Sequence, residues 1–426
     1  RRTTMTTPNS KFSAEIRSLP RPVWVLAAGT FIDRFGFFIF PFLMIFLTNA
    51  GMSGIAAGWA VGMIGIGNII ASFLGGYLTD RVGRKKTIAF SMYGGAITSL
   101  FLWATIEFHE QLGGFWAIYI VTMIYGLVRG MYHSASSSLV ADLTPPNTLV
   151  AAFTMLRFAI NLGFAFGMGA ASLMFHLEAS SIWLFGLDAL TSITFGTIAL
   201  TSLPTGLRTK KERAGWGLAF GTIFSSPAFL FLCLNCFVIA TVINQWGASY
   251  AYHLKHELLY PEKIYGLLMI WNGILIVLTE IPISAWVRRY SPPKVIAAGT
   301  TVAALGFATI ALVPAAAEWG SAAWGYDVTT LIIAGWFISI TIFTIGEMIT
   351  FPMQGAYVAL LAPNDMRGRY NGATGFMWAS ATVVGPPLGM ILLGASASIL
   401  CNFMFGIAII SSVLLVVSAN RQLARR

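Results

Sequence analysis

Residues 76–86 read Gly76-Tyr77-Leu78-Thr79-Asp80-Arg81-Val82-Gly83-Arg84-Lys85-Lys86. This basic run closes one long apolar stretch, 55–79, and precedes another, 87–106. A helix needs about 20 apolar residues to cross the hydrocarbon core of a bilayer. The run therefore reads as a charged loop between two membrane-spanning helices. Gly83 suits a tight turn, because a residue without Cβ adopts positive φ freely.

The same reading extends to the whole chain. Of its 426 residues, 57% are apolar and 10% are charged, whereas a soluble domain carries about 25% charged residues. Lipid as solvent leaves only helices or closed barrels. Barrel strands alternate polar and apolar residues, and here the apolar runs are continuous. Twelve are expected, at 22–48, 55–79, 87–106, 114–138, 150–175, 180–203, 227–252, 264–287, 294–314, 328–353, 366–393 and 396–418. The fold class is an all-α polytopic membrane protein. Residues 1–21 are polar and basic and lack the apolar core of a secretion signal, so no removed leader is expected.

The net charge is +10, and its placement argues against a nucleic-acid partner. Cations gather in alternate connections: Lys11, Arg17 and Arg21 in the first tail, then Arg81, Arg84, Lys85 and Lys86. Arg208, Lys210, Lys211 and Arg213 follow, then Arg288, Arg289 and Lys294, then Arg367 and Arg369, and finally Arg421, Arg425 and Arg426. The opposite connections hold Glu107, Glu110, Glu178, Glu318 and Asp327, and only Lys255 and Lys263 break the pattern. The positive-inside rule then places both termini in the cytoplasm, which requires an even number of helices.

The basic segment near 204–226 divides the chain into a cytoplasmic tail 1–21, a six-helix bundle 22–203, the linker, a second bundle 227–418 and a tail 419–426. Both bundles carry a basic loop after their second helix, the second being the degenerate Pro282–Tyr290 run. Cys233, Cys236 and Cys401 lie in apolar runs and read as buried thiols. No metal-binding spacing and no cofactor are expected, and the chain reads as a monomer in the bilayer.

The 76–86 run resembles the signature loop of the major facilitator superfamily, through Gly76, Leu78, Asp80, Arg81, Gly83, Arg84 and Lys85. With twelve spans and a basic central linker, the resemblance covers essentially the whole chain. It implies two six-helix bundles working by alternating access. It also implies a cytoplasmic gate in which Asp80 faces helix 11 and Arg84 meets Asp142 at the end of helix 4. The alternative is that these cations only set topology. Gly163, Gly167 and Gly169 in span 5 are similar to the glycine-rich stretch of bacterial twelve-helix drug/proton antiporters, although Met168 stands where that group has proline.

An ionisable side chain at mid-membrane costs about 2.5–3.5 kcal/mol or more, so each is a candidate site. Asp33 and Arg34 lie in span 1, Arg129 in span 4, Asp188 in span 6, Glu280 in span 8 and Glu347 in span 10. In the resembled fold helices 1, 4, 7 and 10 line the cavity and 3, 6, 9 and 12 lie outermost. That ranks Asp33, Arg34, Arg129 and Glu347 as proton-coupling residues, with Asp188 below them. Thr344, Glu347, Thr350 and Gln354 recur at helical spacing and make one polar face. Tyr125, Arg129, Tyr132 and Ser136 make another, with His133 beside it. Asn244 and Gln245 in span 7, together with Tyr125, Tyr132, Thr350, Gln354 and Glu280, are the candidate substrate-cavity residues. Adjacent helical residues point about 100° apart, so Asp33 and Arg34 are expected to face different ways. Arg34 or Arg129 pairs with Asp33 or Glu347, either as a static ion pair or as a switch released by protonation.

The segment 344–352 and Arg369-Tyr370-Asn371-Gly372 look like helices 10 and 11 of the same antiporter group. The resemblance implies a secondary transporter, not an enzyme, in a bacterial cytoplasmic (inner) membrane, exporting small amphipathic or drug-like molecules against a proton current. One rival is proton-coupled uptake of peptides, sugars or other metabolites. Asp33-Arg34-Phe35 is similar to the E-x-x-E-R-[FY] element of oligopeptide symporters, with Thr30 in place of the first acid. A second rival, a non-transporting receptor or scaffold, does not require intramembrane charges. The orientation has a direct test. Green fluorescent protein fused after Arg426 is expected to fluoresce, and alkaline phosphatase fused there to stay inactive; the reverse pattern overturns the assignment.

Overall fold

A computed structural model of the protein describes residues 16–145, 148–205, 226–362 and 367–424. Most of the expected tail 1–21, most of the linker 204–226 and the last two residues of the tail 419–426 lie outside the described residues. Among the described residues, twelve helical spans are long and apolar enough to cross a membrane. The first bundle's helices are α1 (Arg21–Phe35 and Ile39–Asn49), α2 (Gly54–Arg81), α3 (Arg84–Glu107), α4 (Phe115–Leu143), α5 (Leu149–His176) and α6 (Ser181–Ser202). The later ones are α7 (Pro227–Gln245), α8 (Glu262–Val287), α9 (Pro292–Ala308, then Val313–Trp324), α10 (Val328–Leu361), α11 (Arg367–Ala395) and α12 (Ala397–Ala424).

Several helices outrun their sequence-based limits, α4 reaching Leu143 and α12 reaching Ala424. α10 continues through Pro352 to Leu361, and α9 resumes after a 3-10 turn at Thr309–Leu312 and runs to Trp324. Pro314 falls in the first turn of the resumed helix, where its missing N–H leaves no bond unmade. Glu318, expected in a loop, is therefore on the last turns of α9. α7 continues past Gln245 through two π turns, Trp246–Tyr250 and His253–Glu257. Hydropathy marks where a helix is apolar, not where it unwinds.

Packing divides the helices into two compact units. One takes the chain up to Ile39 together with Gly67 to the central linker. The other takes Phe40–Ile66 together with everything beyond the linker. The change of unit within α1 follows immediately on a break at Gly36–Phe38. Phe38 donates to the Gly36 carbonyl there at 2.9 Å, and the helix restarts at Ile39. Pro41 then sits in the new first turn, where it fits.

In the first unit α1 packs against α5 and α6, and α3 against α4 and α6. Leu26, Met92, Tyr132, Leu139, Ala159 and Phe195 fill its core. In the second unit α9 lies along α10, α7 along α11, and the core gathers Phe229, Ile296, Tyr357 and Tyr370. Gly62 and Gly65 of α2 lie against Val383 of α11, and a methyl at Gly62 would come 2.7 Å from the Val383 carbonyl oxygen. Small residues let helix backbones approach this closely where lipid removes the hydrophobic drive for association.

The span-5 glycines have a definite packing role. A Cβ at Gly163 would meet the Phe31 carbonyl oxygen at 2.6 Å and Arg34 Cβ at 2.8 Å. Gly167 lies against the backbone of Arg34 and Phe35 in the same way, while Gly169 is half-buried. These glycines hold the Asp33–Phe35 turn of α1 against α5. Gly163→Leu is therefore expected to destabilise the protein by about 1–3 kcal/mol, read as a lower melting temperature in detergent. An unchanged melting temperature would show that α1 is not seated on α5.

Candidate functional site

The first unit concentrates four charged side chains around the end of the first α1 segment. Asp33 is 1% exposed, Arg129 side chain 8% and Asp188 fully buried. Arg129 donates through Nη1 to Asp33 Oδ1 at 2.7 Å and to Ser192 Oγ at 2.7 Å. Its Nη2 donates to Asp188 Oδ1 at 3.4 Å. Ser192 in turn donates to Asp33 Oδ1 at 3.3 Å. One guanidinium thus ties α4 to α1 and α6. Its planar fork suits this work, because it presents several donors in fixed directions.

The arginine reaches the site past Gly95 of α3. A Cβ there would stand 2.6 Å from Arg129 Cδ. Phe37, in the α1 break, lies beneath two cations: its ring centre is 4.7 Å from the Arg34 guanidinium and 5.1 Å from that of Arg129. Tyr125 lies 5.8 Å from Arg129, and Tyr132 5.9 Å from Arg34. Such contacts stabilise cations more strongly when water is excluded. Thr30 spends its hydroxyl proton on the Leu26 carbonyl at 2.7 Å, so Tyr132 donates to Thr30 at 2.6 Å.

Two sequence expectations change here. Asp188, ranked low because α6 belongs to the outer helices of the resembled fold, faces Arg129. An outer helix still has an inner face, and a carboxyl group on that face can pair. Arg34 and Asp33, expected to point apart, stand 3.7 Å apart at Arg34 Nε and Asp33 Oδ2. The long arginine side chain folds back across the angle between their Cα–Cβ bonds.

The second unit holds the other acid. Glu347 is 8% exposed on α10. Asn272 of α8 donates to its Oε2 at 3.2 Å and to Thr344 Oγ1 at 2.8 Å. Of the expected cavity residues, several are structural joints. Thr350 donates to the Gly346 carbonyl and lies against Gly299 of α9, in a helix seam. Gln245 is fully buried and donates to the Gly385 carbonyl of α11 at 3.0 Å. Its Oε1 accepts from Ser249. Asn244 donates to the Ala240 carbonyl and, at 3.5 Å, to Thr382. Gln354 is buried with no hydrogen bond at Nε2, and Glu280 is half-buried on α8. The one-face reading of span 10 therefore divides: Thr344 and Glu347 meet α8, and Thr350 meets α9.

At the signature loop Gly83 has φ of +100°, a conformation that favours glycine. Arg84 and Asp142 form an ion pair at 2.8 Å, linking the start of α3 to the end of α4. Arg81 is exposed and lies over the Tyr77 ring, Lys85 is half-buried, and a Cβ at Gly76 would meet nothing. The Asp80 side chain lies outside the described residues. His133 is exposed.

A family model described as Major Facilitator Superfamily matches residues 26–386. The chain belongs to the Major Facilitator Superfamily. It is an integral membrane protein and a secondary transporter rather than an enzyme. Among curated relatives it is 26% identical to the uncharacterized MFS-type transporter YqjV of Bacillus subtilis, over 87% of this chain and 86% of that one. It is 21% identical to a Na(+), Li(+), K(+)/H(+) antiporter of Planococcus maritimus, over 87% and 89%. It is 23% identical to the quinolone resistance protein NorA of Staphylococcus aureus, over 61% and 66%. A solved POT family transporter in complex with 5-aminolevulinic acid shares the fold, with TM-score 0.72 and 16% identity over 94% of this chain and 98% of that one.

Removing Arg129 from this member of the superfamily leaves two buried carboxyl groups facing each other. Breaking a buried pair from one side costs about 3–5 kcal/mol. Arg129→Met is expected to lower the melting temperature strongly, and adding Asp33→Asn and Asp188→Asn to recover part of the loss. No recovery would mean that packing, not charge, holds the cluster.

Proposed function

We propose that the protein exports small amphipathic or drug-like molecules in exchange for protons, by alternating access in a bacterial cytoplasmic membrane with both termini in the cytoplasm. The observation that carries this reading is the Asp33–Arg129 contact of 2.7 Å, buried within a membrane-spanning bundle. An ionised carboxylate at that depth is tolerable while its arginine is close. A proton arriving on Asp33 removes the attraction and frees the guanidinium, so occupancy by a proton and the arrangement of α1, α4 and α6 are linked. Glu347 is the second proton carrier, with Asn272 donating to its ionised form. One proton moving down about 100 mV supplies about 2.3 kcal/mol. The Arg84–Asp142 pair serves as part of the cytoplasmic gate.

Two relatives support export by antiport. One bears the name of a cation/H(+) antiporter, and the other of a quinolone resistance protein. Proton-coupled uptake is the second reading, favoured by the Asp33-Arg34-Phe35 element. Thr30 weighs against it. Where the symporter element has its first acid, Thr30 bonds its hydroxyl to its own helix and to Tyr132.

The test uses purified protein in liposomes loaded with a pH-sensitive dye, with lipophilic cations, dipeptides and sugars added in turn. A lipophilic cation is expected to drive protons the opposite way. Asp33→Asn and Glu347→Gln are each expected to cut that flux by about tenfold or more, equivalent to ~1.4 kcal/mol, while the variants remain folded. Protons moving together with a dipeptide or sugar would establish symport instead.

A further inference from the structure

The cluster holds one more carboxyl group than the Asp33–Arg129 exchange needs. Asp188 is completely buried at membrane depth, and its contact with Arg129 is long: Nη2 stands 3.4 Å from Oδ1, while Ser99 of α3 lies within hydrogen-bonding reach of the carboxyl group. Ser192, one turn along the same helix, accepts from the very Nη1 that Asp33 engages. The guanidinium thus stands in a short hydrogen bond to Asp33, with a second acceptor of equal charge at the edge of reach and the Ser192 hydroxyl, which accepts from Nη1 and donates to Asp33.

The charged and titratable groups around Asp188 are few. α4 brings Arg129 and Tyr125, and α1 brings Asp33 and Arg34. α3 brings the uncharged Ser99, whose hydroxyl donates to the Phe185 carbonyl. With both carboxylates ionised, the two arginines balance them. When a proton neutralises Asp33, Arg129 becomes a buried cation in need of a new partner. A carboxylate already 3.4 Å away meets that need with a small rotation of one side chain.

We propose that Asp188 is a positioning residue for the coupling site, a second seat that receives the Arg129 guanidinium whenever Asp33 is protonated. This rests on the reading of Asp33 as a proton carrier. Asp188 keeps Arg129 compensated through the neutral phase of the cycle. Ser192 holds Nη1 during the transfer. No bond is made or broken beyond the proton's arrival at the Asp33 carboxylate and its later departure.

Two measurements on the full-length protein test this. The first is a double-mutant cycle in melting temperature. Asp33→Asn imitates the protonated state and is expected to be tolerated, because Arg129 moves onto Asp188. Asp33→Asn with Asp188→Asn is expected to lose several degrees more than the two single variants added together; an additive result overturns the proposal. The second is the pH dependence of substrate-driven proton flux in liposomes. Asp188→Asn is expected to move the half-maximal pH about one unit or more toward acid, and Asp188→Glu to restore it. A non-additive cycle with an unmoved pH midpoint makes Asp188 a static brace and also overturns the proposal. If the wild-type protein moves no protons, the antiport reading falls, and the melting cycle alone still decides whether Asp188 is the second seat.

Discussion

The Arg129 guanidinium is the constraint around which the first unit is arranged. A lone cation at membrane depth is costly, and so is a lone carboxylate. Placing Arg129 between Asp33, Ser192 and Asp188 converts three buried polar groups into one hydrogen-bonded set. That requirement dictates which faces of α1, α4 and α6 turn toward one another. It also explains a residue with no charge at all: Gly95 is small so that the arginine stem can pass.

The glycines of α5 act on the same cluster from the opposite side. Gly163 and Gly167 bring the α5 backbone against Phe31, Arg34 and Phe35, and so fix the turn that presents Asp33. Immediately beyond that turn the helix breaks, and the remainder of α1 packs with the second unit. A carboxyl group hydrogen-bonded to Arg129 therefore sits just before the point where α1 changes its packing partners. Phe37, lying against both Arg34 and Arg129, occupies the break itself.

The second unit handles its buried polarity differently. Glu347 accepts from the Asn272 amide, which also donates to the Thr344 hydroxyl. Gln245 spends its amide on tying α7 to the Gly385 carbonyl of α11. Of the two acids assigned to proton coupling, Asp33 stands beside an arginine and Glu347 accepts from an amide.

The sequence alone determined the twelve spans, the basic loops, the presence of Asp33, Arg34, Arg129, Asp188 and Glu347 at membrane depth, and the superfamily. Those properties are local: an apolar run of sufficient length, a charge inside it, and a loop whose glycine and charge spacing is written in eleven consecutive residues, 76–86. Only the tertiary structure decided who meets whom. It brought Asp188 to Arg129, moved Thr350 and Gln245 from cavity candidates to helix seams, and added Ser192, Gly95 and Asn272 to the polar sites. Helical periodicity says which residues share a face, but not which neighbour that face meets. Those pairings join residues 59 to 96 positions apart around Arg129 and 75 apart at Glu347, beyond the reach of any pattern read along the chain.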